Sequence, residues 1–144
     1  MKSNEWREEA VMCEDGLIWR GTSNRLRPTI WKYSQFEKHI LECSMYLVSQ
    51  VGKVRGSARG SPVLTVRALA AAVNSTGDDG VIMGNWSDDF NGGTAPTKWI
   101  GSMEILQEYY KKKKTVKFAQ CWVFAGVLTT SEYLHNLYHY MTLT

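Results

Sequence analysis

Cysteine is scarce in this chain: there are three in 144 residues, Cys13, Cys43 and Cys121. Odd in number and widely spaced, they offer neither a disulfide framework nor a zinc-binding pattern, and they fit a reducing, cytoplasmic setting. No apolar run approaches the roughly 20 residues of a membrane-spanning helix. The first ten residues are charged and lack the apolar stretch of a secretory signal. A dominant charge is missing too. The net charge of +3 is too small to argue for a nucleic-acid partner. The one charge run, Lys111-Lys112-Lys113-Lys114, reads as a solvated helix end whose cations complement the dipole. Histidine is limited to His39, His135 and His139, which narrows the choice of any general base. No internal repeat is visible.

What is present suffices for one globular domain. The apolar share is 44% and the charged share 22%, both ordinary values, and the length supports a sizeable core. Asp15-Gly16 reads as a turn before a short strand over 17–20. Ser34 with Glu37 three residues on is a capping-box signal. It predicts a helix with Phe36, Ile40, Cys43, Leu47 and Val51 on one face, ending at Gly52. After a basic loop over 52–60, Ser61-Pro62 predicts a second helix, capped by the serine, with Val63, Val66, Ala70 and Val73 on its apolar side. A polar turn over 74–80, a short strand over 81–83 and a long Gly-rich loop over 87–98 follow; long ordered loops are often functional. Ser102 is expected to cap a third helix carrying Ile105, Leu106 and Tyr109.

The last helix begins at Gln120-Cys121-Trp122-Val123-Phe124-Ala125-Gly126-Val127. Apolar residues on every side predict burial. A cysteine at a helix start meets unpaired N–H groups and the positive end of the dipole. Those groups stabilise a thiolate and can hold an oxyanion formed when sulfur attacks a carbonyl. From the residues alone two readings stand, a nucleophile or an inert core thiol, and buried cysteines are more often inert. Trp86 taken alone reads as a packing aromatic. The turn Asn74-Ser75-Thr76-Gly77-Asp78-Asp79-Gly80 gathers hard oxygen donors that suit calcium, but its spacing is not that of an EF-hand, and by itself it reads as a solvated turn.

The segment Phe118-Ala119-Gln120-Cys121-Trp122-Val123-Phe124-Ala125-Gly126-Val127 resembles the active-site segment of animal transglutaminases, which carries Gly-Gln-Cys-Trp-Val-Phe. Four further blocks fit the same family in the same order: Trp31-Lys32-Tyr33-Ser34-Gln35-Phe36-Glu37, Arg59-Gly60-Ser61-Pro62-Val63, Gly80-Val81-Ile82-Met83-Gly84-Asn85-Trp86-Ser87, and Gly92-Gly93-Thr94-Ala95-Pro96-Thr97-Lys98-Trp99-Ile100-Gly101-Ser102. Ala119, Ser34 and Ser61 stand where the family usually has Gly, Gly and Asp. The resemblance covers residues 9–130. It implies an α+β fold, the helical half of a papain-like cysteine-proteinase-type core, made mainly of helices with short strands. Residues 1–8 would end a linker from a β-sandwich, and residues 131–144 would be a divergent tail.

The resemblance also implies a function, calcium-dependent cross-linking of glutamine- and lysine-bearing protein substrates (protein-glutamine gamma-glutamyltransferase). Cys121 would attack a glutamine side-chain amide, ammonia would leave, and a lysine amine would take the acyl group from the thioester. Trp86 matches the tryptophan whose indole N–H holds the oxyanion. Calcium would sit at positions matching Ala71, Asn74, Asp78 and Asp79, with Thr76 departing from the usual Asn. The family's catalytic His and Asp lie well downstream of the cysteine, so the expectation is a piece of the catalytic core that is inactive alone. If the tail continues the Cys121 helix, His135 lies about 21 Å along the axis at about 1.5 Å per residue. Three classes stay open: transglutaminase material, a non-catalytic binding or regulatory fragment, and a thiol hydrolase that recruits His135.

Overall fold

The computed structural model describes residues 4–74 and 79–142. After α1 (Asn4–Arg7) and a wider helical turn, Glu8–Met12, the chain forms an antiparallel hairpin of β1 (Asp15–Thr22) and β2 (Arg25–Lys32), with Leu17 opposite Ile30 and Arg20 opposite Arg27. Helix α2 (Ile40–Tyr46) runs on through a wide turn, Leu47–Val51. Helix α3 (Pro62–Val73), strand β3 (Ile82–Gly84), helix α4 (Met103–Lys112), strand β4 (Val116–Ala119) and helix α5 (Cys121–Thr142) complete the order. Strands β3 and β4 pair in parallel, with an irregular register between Met83 and Gly84. The α+β expectation, mainly helices with short strands, holds. No described helix is long and apolar enough to cross a membrane.

Helix α5 lies at the centre. It packs on α2, α3, β1 and β4, and Val123, Val127 and Leu134 are buried in a core shared with Trp31, Ile40, Leu47, Leu69, Ile82, Ile105 and Leu106. Trp31 is fully buried and packs on Gly126, where the missing side chain leaves room for the indole. Its Nε1 donates to Ser102 Oγ at 2.8 Å, and Thr130 Oγ1 donates to the same oxygen at 2.8 Å. One serine hydroxyl thus ties the hairpin, the start of α4 and the middle of α5 together. The expectation that Ser102 caps α4 through its side chain is corrected here: that side chain makes no cap bond and turns into the core instead. Ile105, Leu106 and Tyr109 are buried as expected.

Three other local expectations change, the first being that Asp15-Gly16, expected as a turn, already belongs to β1 and pairs with Lys32 and Trp31. The chain over 34–39 is a pair of tight turns, not the first turn of a helix, and α2 begins at Ile40. Ser34 and His39 both take left-handed backbone (φ 54° and 69°), and the buried Gln35 amide donates to the carbonyls of Val11 (3.0 Å) and Cys13 (2.8 Å). These six residues anchor the segment before the hairpin, so Phe36 stays exposed. In α3, Ser61 accepts from Leu64 N and Pro62 opens the helix, as the sequence predicts. The buried face is Thr65, Leu69, Ala72 and Val73, while Val63 and Val66 face outwards.

Candidate active site

The two parallel strands end at the same place, and each hands its chain to a residue singled out by the sequence. Beyond β4, Gln120 precedes α5, and its carbonyl accepts from Val123 N (2.9 Å) and Phe124 N (3.2 Å). Cys121 is therefore the first helical residue, as expected. Helix geometry leaves its own N–H and that of Trp122 without intrahelical acceptors, beside the positive dipole end. The thiol is exposed. That corrects the expectation of burial on all sides: α5 buries one stripe at its start, and Cys121 and Ala125 face outwards. The buried thiol is Cys43, where burial is the main cause that pushes its pKa up to about 12.

Beyond β3, Asn85 leads into Trp86. Asn85 N donates to Ala119 O (2.9 Å), and Gln120 Nε2 donates to Asn85 O (3.1 Å). The backbone ahead of Trp86 is thus sewn to the two residues ahead of Cys121. The loop after it is closed by the Asn85 side chain, which donates to Asp89 O (2.8 Å) and accepts from Ser87 N (2.9 Å). The Trp86 indole is 70% exposed, which excludes a core role. It stacks on Phe124 of α5, with ring centroids 6.3 Å apart and planes at 23°. A Cβ on Gly84 would fall 2.4 Å from Trp86 Cζ3, so glycine there is required for the indole to lie where it does. Sequence reasoning named Cys121 and Trp86 but not Asn85, Gln120, Gly84 or Phe124. All four lie inside the motif blocks, and only the hydrogen bonds and ring contacts reveal what they do.

Trp122 and Phe124 leave α5 about 100° and 300° round from Cys121, on opposite flanks of the thiol. Trp86 takes the Phe124 side. On the other, the Arg20 guanidinium lies 4.1 Å from the centroid of the Trp122 ring. No histidine joins this group among the residues whose side chains are described. Helix α5 runs unbroken from Cys121 to Thr142, so His135 is about 21 Å along the axis and is 7% exposed. The hydrolase option that needed the chain to turn back is thereby corrected. His39 lies on the surface, near Glu42 and Tyr110.

Of the residues expected to hold calcium, Ala71 lies in the last turn of α3 and Asn74 directly follows that helix. Ala71 and Asp79 line one cleft of about 290 Å³, close to Asn74 in sequence, while Asp78 falls outside the described residues. A carboxylate at a helix C-terminus, where the dipole is negative, is chemistry that suits a hard cation. Among the described residues, no group of three or more His, Cys, Asp or Glu side chains converges in a metal-binding arrangement.

No protein-family model matches the chain. Individual proteins do. Annulin of Schistocerca americana is 62% identical over 130 residues, which are 90% of this chain and 17% of annulin. Human protein-glutamine gamma-glutamyltransferase K is 44% identical over 126 residues, 88% of this chain and 15% of that protein. Human protein-glutamine gamma-glutamyltransferase 4 is 41% identical over 130 residues, 90% and 19% of the two chains. The crystal structure of red sea bream transglutaminase superposes with a TM-score of 0.84 at 35% identity, covering 93% of this chain and 21% of that one. The fold is that of part of the red sea bream transglutaminase structure. The chain is a homologue of the animal transglutaminases over some nine tenths of its length, and it spans less than a fifth of the length of these curated relatives.

Proposed function

We propose that this chain carries the nucleophile and an oxyanion donor of a calcium-dependent protein-glutamine gamma-glutamyltransferase, with Cys121 as nucleophile and Trp86 as donor. The observation that carries the reading is the stitching of the Trp86 segment to the Cys121 helix through Asn85, Gln120 and Phe124. In the reaction, Sγ of Cys121 bonds to the carboxamide carbon of a protein glutamine and the oxygen becomes an oxyanion. The Cys121 N–H and the Trp86 indole N–H are the donors suited to it. The C–N bond then breaks, ammonia leaves with a proton, and a thioester remains. A lysine amine attacks the thioester to give an isopeptide bond and free thiol, while water in its place gives glutamate. No histidine of this chain is assigned the proton transfers. Ala71, Asn74, Asp78 and Asp79 would hold calcium, a role supported by the oxygen chemistry of the α3 end. Bound there, the ion would supply charge to fix the turn. A reducing, cytoplasmic setting belongs to the same reading and is supported by three free cysteines. The division at Thr130 into core and tail is a matter of sequence likeness, since α5 passes through it without a break.

The test is a glutamine peptide bearing a chloromethyl ketone in place of the carboxamide. Cys121 should be alkylated faster than Cys13, which is also exposed, and Trp86→Phe should slow Cys121 alone. Equal rates at both thiols, unchanged by Trp86→Phe, would overturn the reading. A second reading, a non-catalytic binding module, is favoured by one feature: Leu17, Trp19, Leu26 and Ile30 are all more than half exposed, on the outer face of the hairpin. Contiguous apolar surface of that kind marks association sites. Self-association lost in Ile30→Lys, with no preferential labelling of Cys121, would select it.

A further inference from the structure

The hairpin face turned toward α5 ends in a cluster of like charges. Arg20 lies directly opposite Arg27, and Thr22 lies opposite Arg25. Like charges paired across a ladder repel, and a third guanidinium stands one alternate position away. Among the described residues the ion pairs are Arg7–Glu8, His39–Glu42 and Lys112–Glu108; none involves these arginines. Arg20 instead rests on the Trp122 ring, which holds the guanidinium in place without consuming its N–H donors. Together with Gly21 and Thr22, the three arginines and Trp122 line a cleft of about 380 Å³ with no carboxylate in its wall. An arrangement that repels itself and carries no internal counter-ion is one that an external anion completes.

Its position gives the anion a source. Trp122 directly follows Cys121, and Trp86 stacks on Phe124 on the opposite flank of the helix. A glutamine-bearing chain that reaches Cys121 therefore extends over the arginine side. Resting on the proposed acyl-transfer reading, we propose that this cleft binds acidic side chains of the glutamine-bearing protein, two Asp or Glu residues at alternate positions near the reactive glutamine. Arg27 and Arg25 are two residues apart on one strand, about 6.6 Å at roughly 3.3 Å per residue. An extended peptide spaces its alternate side chains equally. Each guanidinium can take a carboxylate through paired N–H donors.

Binding is the readout, so the result does not depend on turnover. The whole chain is titrated into two fluorescent peptides that share one glutamine and differ only in Glu→Gln at two alternate positions. Fluorescence anisotropy should show the acidic peptide binding at least tenfold more tightly, with the preference shrinking between 50 mM and 500 mM salt. Arg25→Gln and Arg27→Gln, both on exposed strand positions, should each remove several-fold of it with unchanged far-UV circular dichroism, and Lys38→Gln should remove none. Equal binding of the two peptides, or a preference that survives both arginine changes, overturns the proposal. So does full displacement of the acidic peptide by inorganic phosphate at the peptide's own concentration, which would assign the cleft to small anions. An intact preference in a chain whose Cys121 fails to label selectively would sink the acyl-transfer reading and leave the anion cleft standing.

Discussion

Replacing Gly126 by alanine sets two effects of opposite sign against each other. In a helix interior, alanine is favoured over glycine by about 1 kcal/mol, so an unpacked site would be stabilised. Here the added Cβ would fall 2.3 Å from Trp31 Cε2 and Nε1 and 2.7 Å from Cδ1, well inside the ~3.5–4.0 Å of ordinary carbon contact. The ring is fully buried and cannot swing into solvent. Overpacking of such a site costs roughly 1–3 kcal/mol. Moving the ring also breaks its 2.8 Å bond to Ser102, and a buried polar group left without its partner costs about 1–3 kcal/mol more. The net expectation is a loss of about 1–5 kcal/mol. It is read from urea unfolding as a lower midpoint at unchanged slope. In a Trp31→Leu background the clash is gone, and the same Gly126→Ala change should be neutral or stabilising; the two backgrounds form a double-mutant cycle. A Gly126→Ala chain as stable as the parent, or an equal cost in both backgrounds, would refute the claim that Trp31 docks on this glycine.

Gly84→Ala should act on the site and not on the fold. Its Cβ displaces an indole that is largely exposed and free to move, so the urea midpoint should shift little, while selective labelling of Cys121 by the glutamine-mimicking reagent should fall to the level of Trp86→Phe. Native-state alkylation followed by peptide mapping should find Cys13 and Cys121 modified and Cys43 protected up to about pH 10, because burial holds its thiol pKa at about 12. Stability should decline at high pH: burial is the main cause that raises Cys43 and Tyr109 from ordinary values of 9.0 and 10.0 to about 12 each, and the folded state then favours the protonated forms. Stability is full below about pH 9 and falls as pH rises toward 12, with Cys43→Ser and Tyr109→Phe each flattening the decline. Finally, the purified 144-residue chain with calcium should not incorporate a labelled primary amine into a glutamine-rich protein. A positioned base contributes about 10²–10⁴-fold, and His135 is about 21 Å from the thiol along α5; turnover abolished by Cys121→Ala would contradict this.

The parts legible in the sequence were those written in local chemistry. Ser61-Pro62 opens α3 because a hydroxyl cap and a proline satisfy or remove early N–H donors, needs that do not depend on the rest of the chain. The buried side of α3 was not legible. Val63, Val66, Leu69, Ala70, Ala72 and Val73 give nearly every face some apolar character, and only packing against α5 and the turn after α2 selects Thr65 and Leu69. Strand β2 goes unpredicted because Arg25, Arg27 and Pro28 give its first half little strand preference. Pro28 is tolerated at this sheet edge, opposite Trp19. The signal over 34–37 matched a capping box, yet the Gln35 amide is committed to two carbonyls from the preceding segment, and that long-range demand outweighs a local preference. The site divides in the same way: motif blocks exposed Cys121 and Trp86, while the bonds that hold their two segments together pass between residues 34 and 35 positions apart.

The proposed nucleophile and donor share one mechanical support. Gln120 uses its carbonyl to start α5 and its amide to hold Asn85, so the residue that positions Cys121 also fixes the chain that presents Trp86. Phe124, one turn along the same helix, carries the indole itself. A change at Gln120 would separate the nucleophile from the donor. Gln120→Glu tests this directly: it keeps the carbonyl that begins the helix but replaces the amide donor with a carboxylate that cannot donate to Asn85 O when ionised. Helix content should be unchanged, because the backbone acceptor is retained. Selective alkylation of Cys121 should fall as far as in Trp86→Phe, and adding Trp86→Phe to Gln120→Glu should cost nothing further, since the donor is already misplaced. If the two losses multiply, Gln120 and Trp86 act on the thiol independently, and the shared support is not what holds the donor in place.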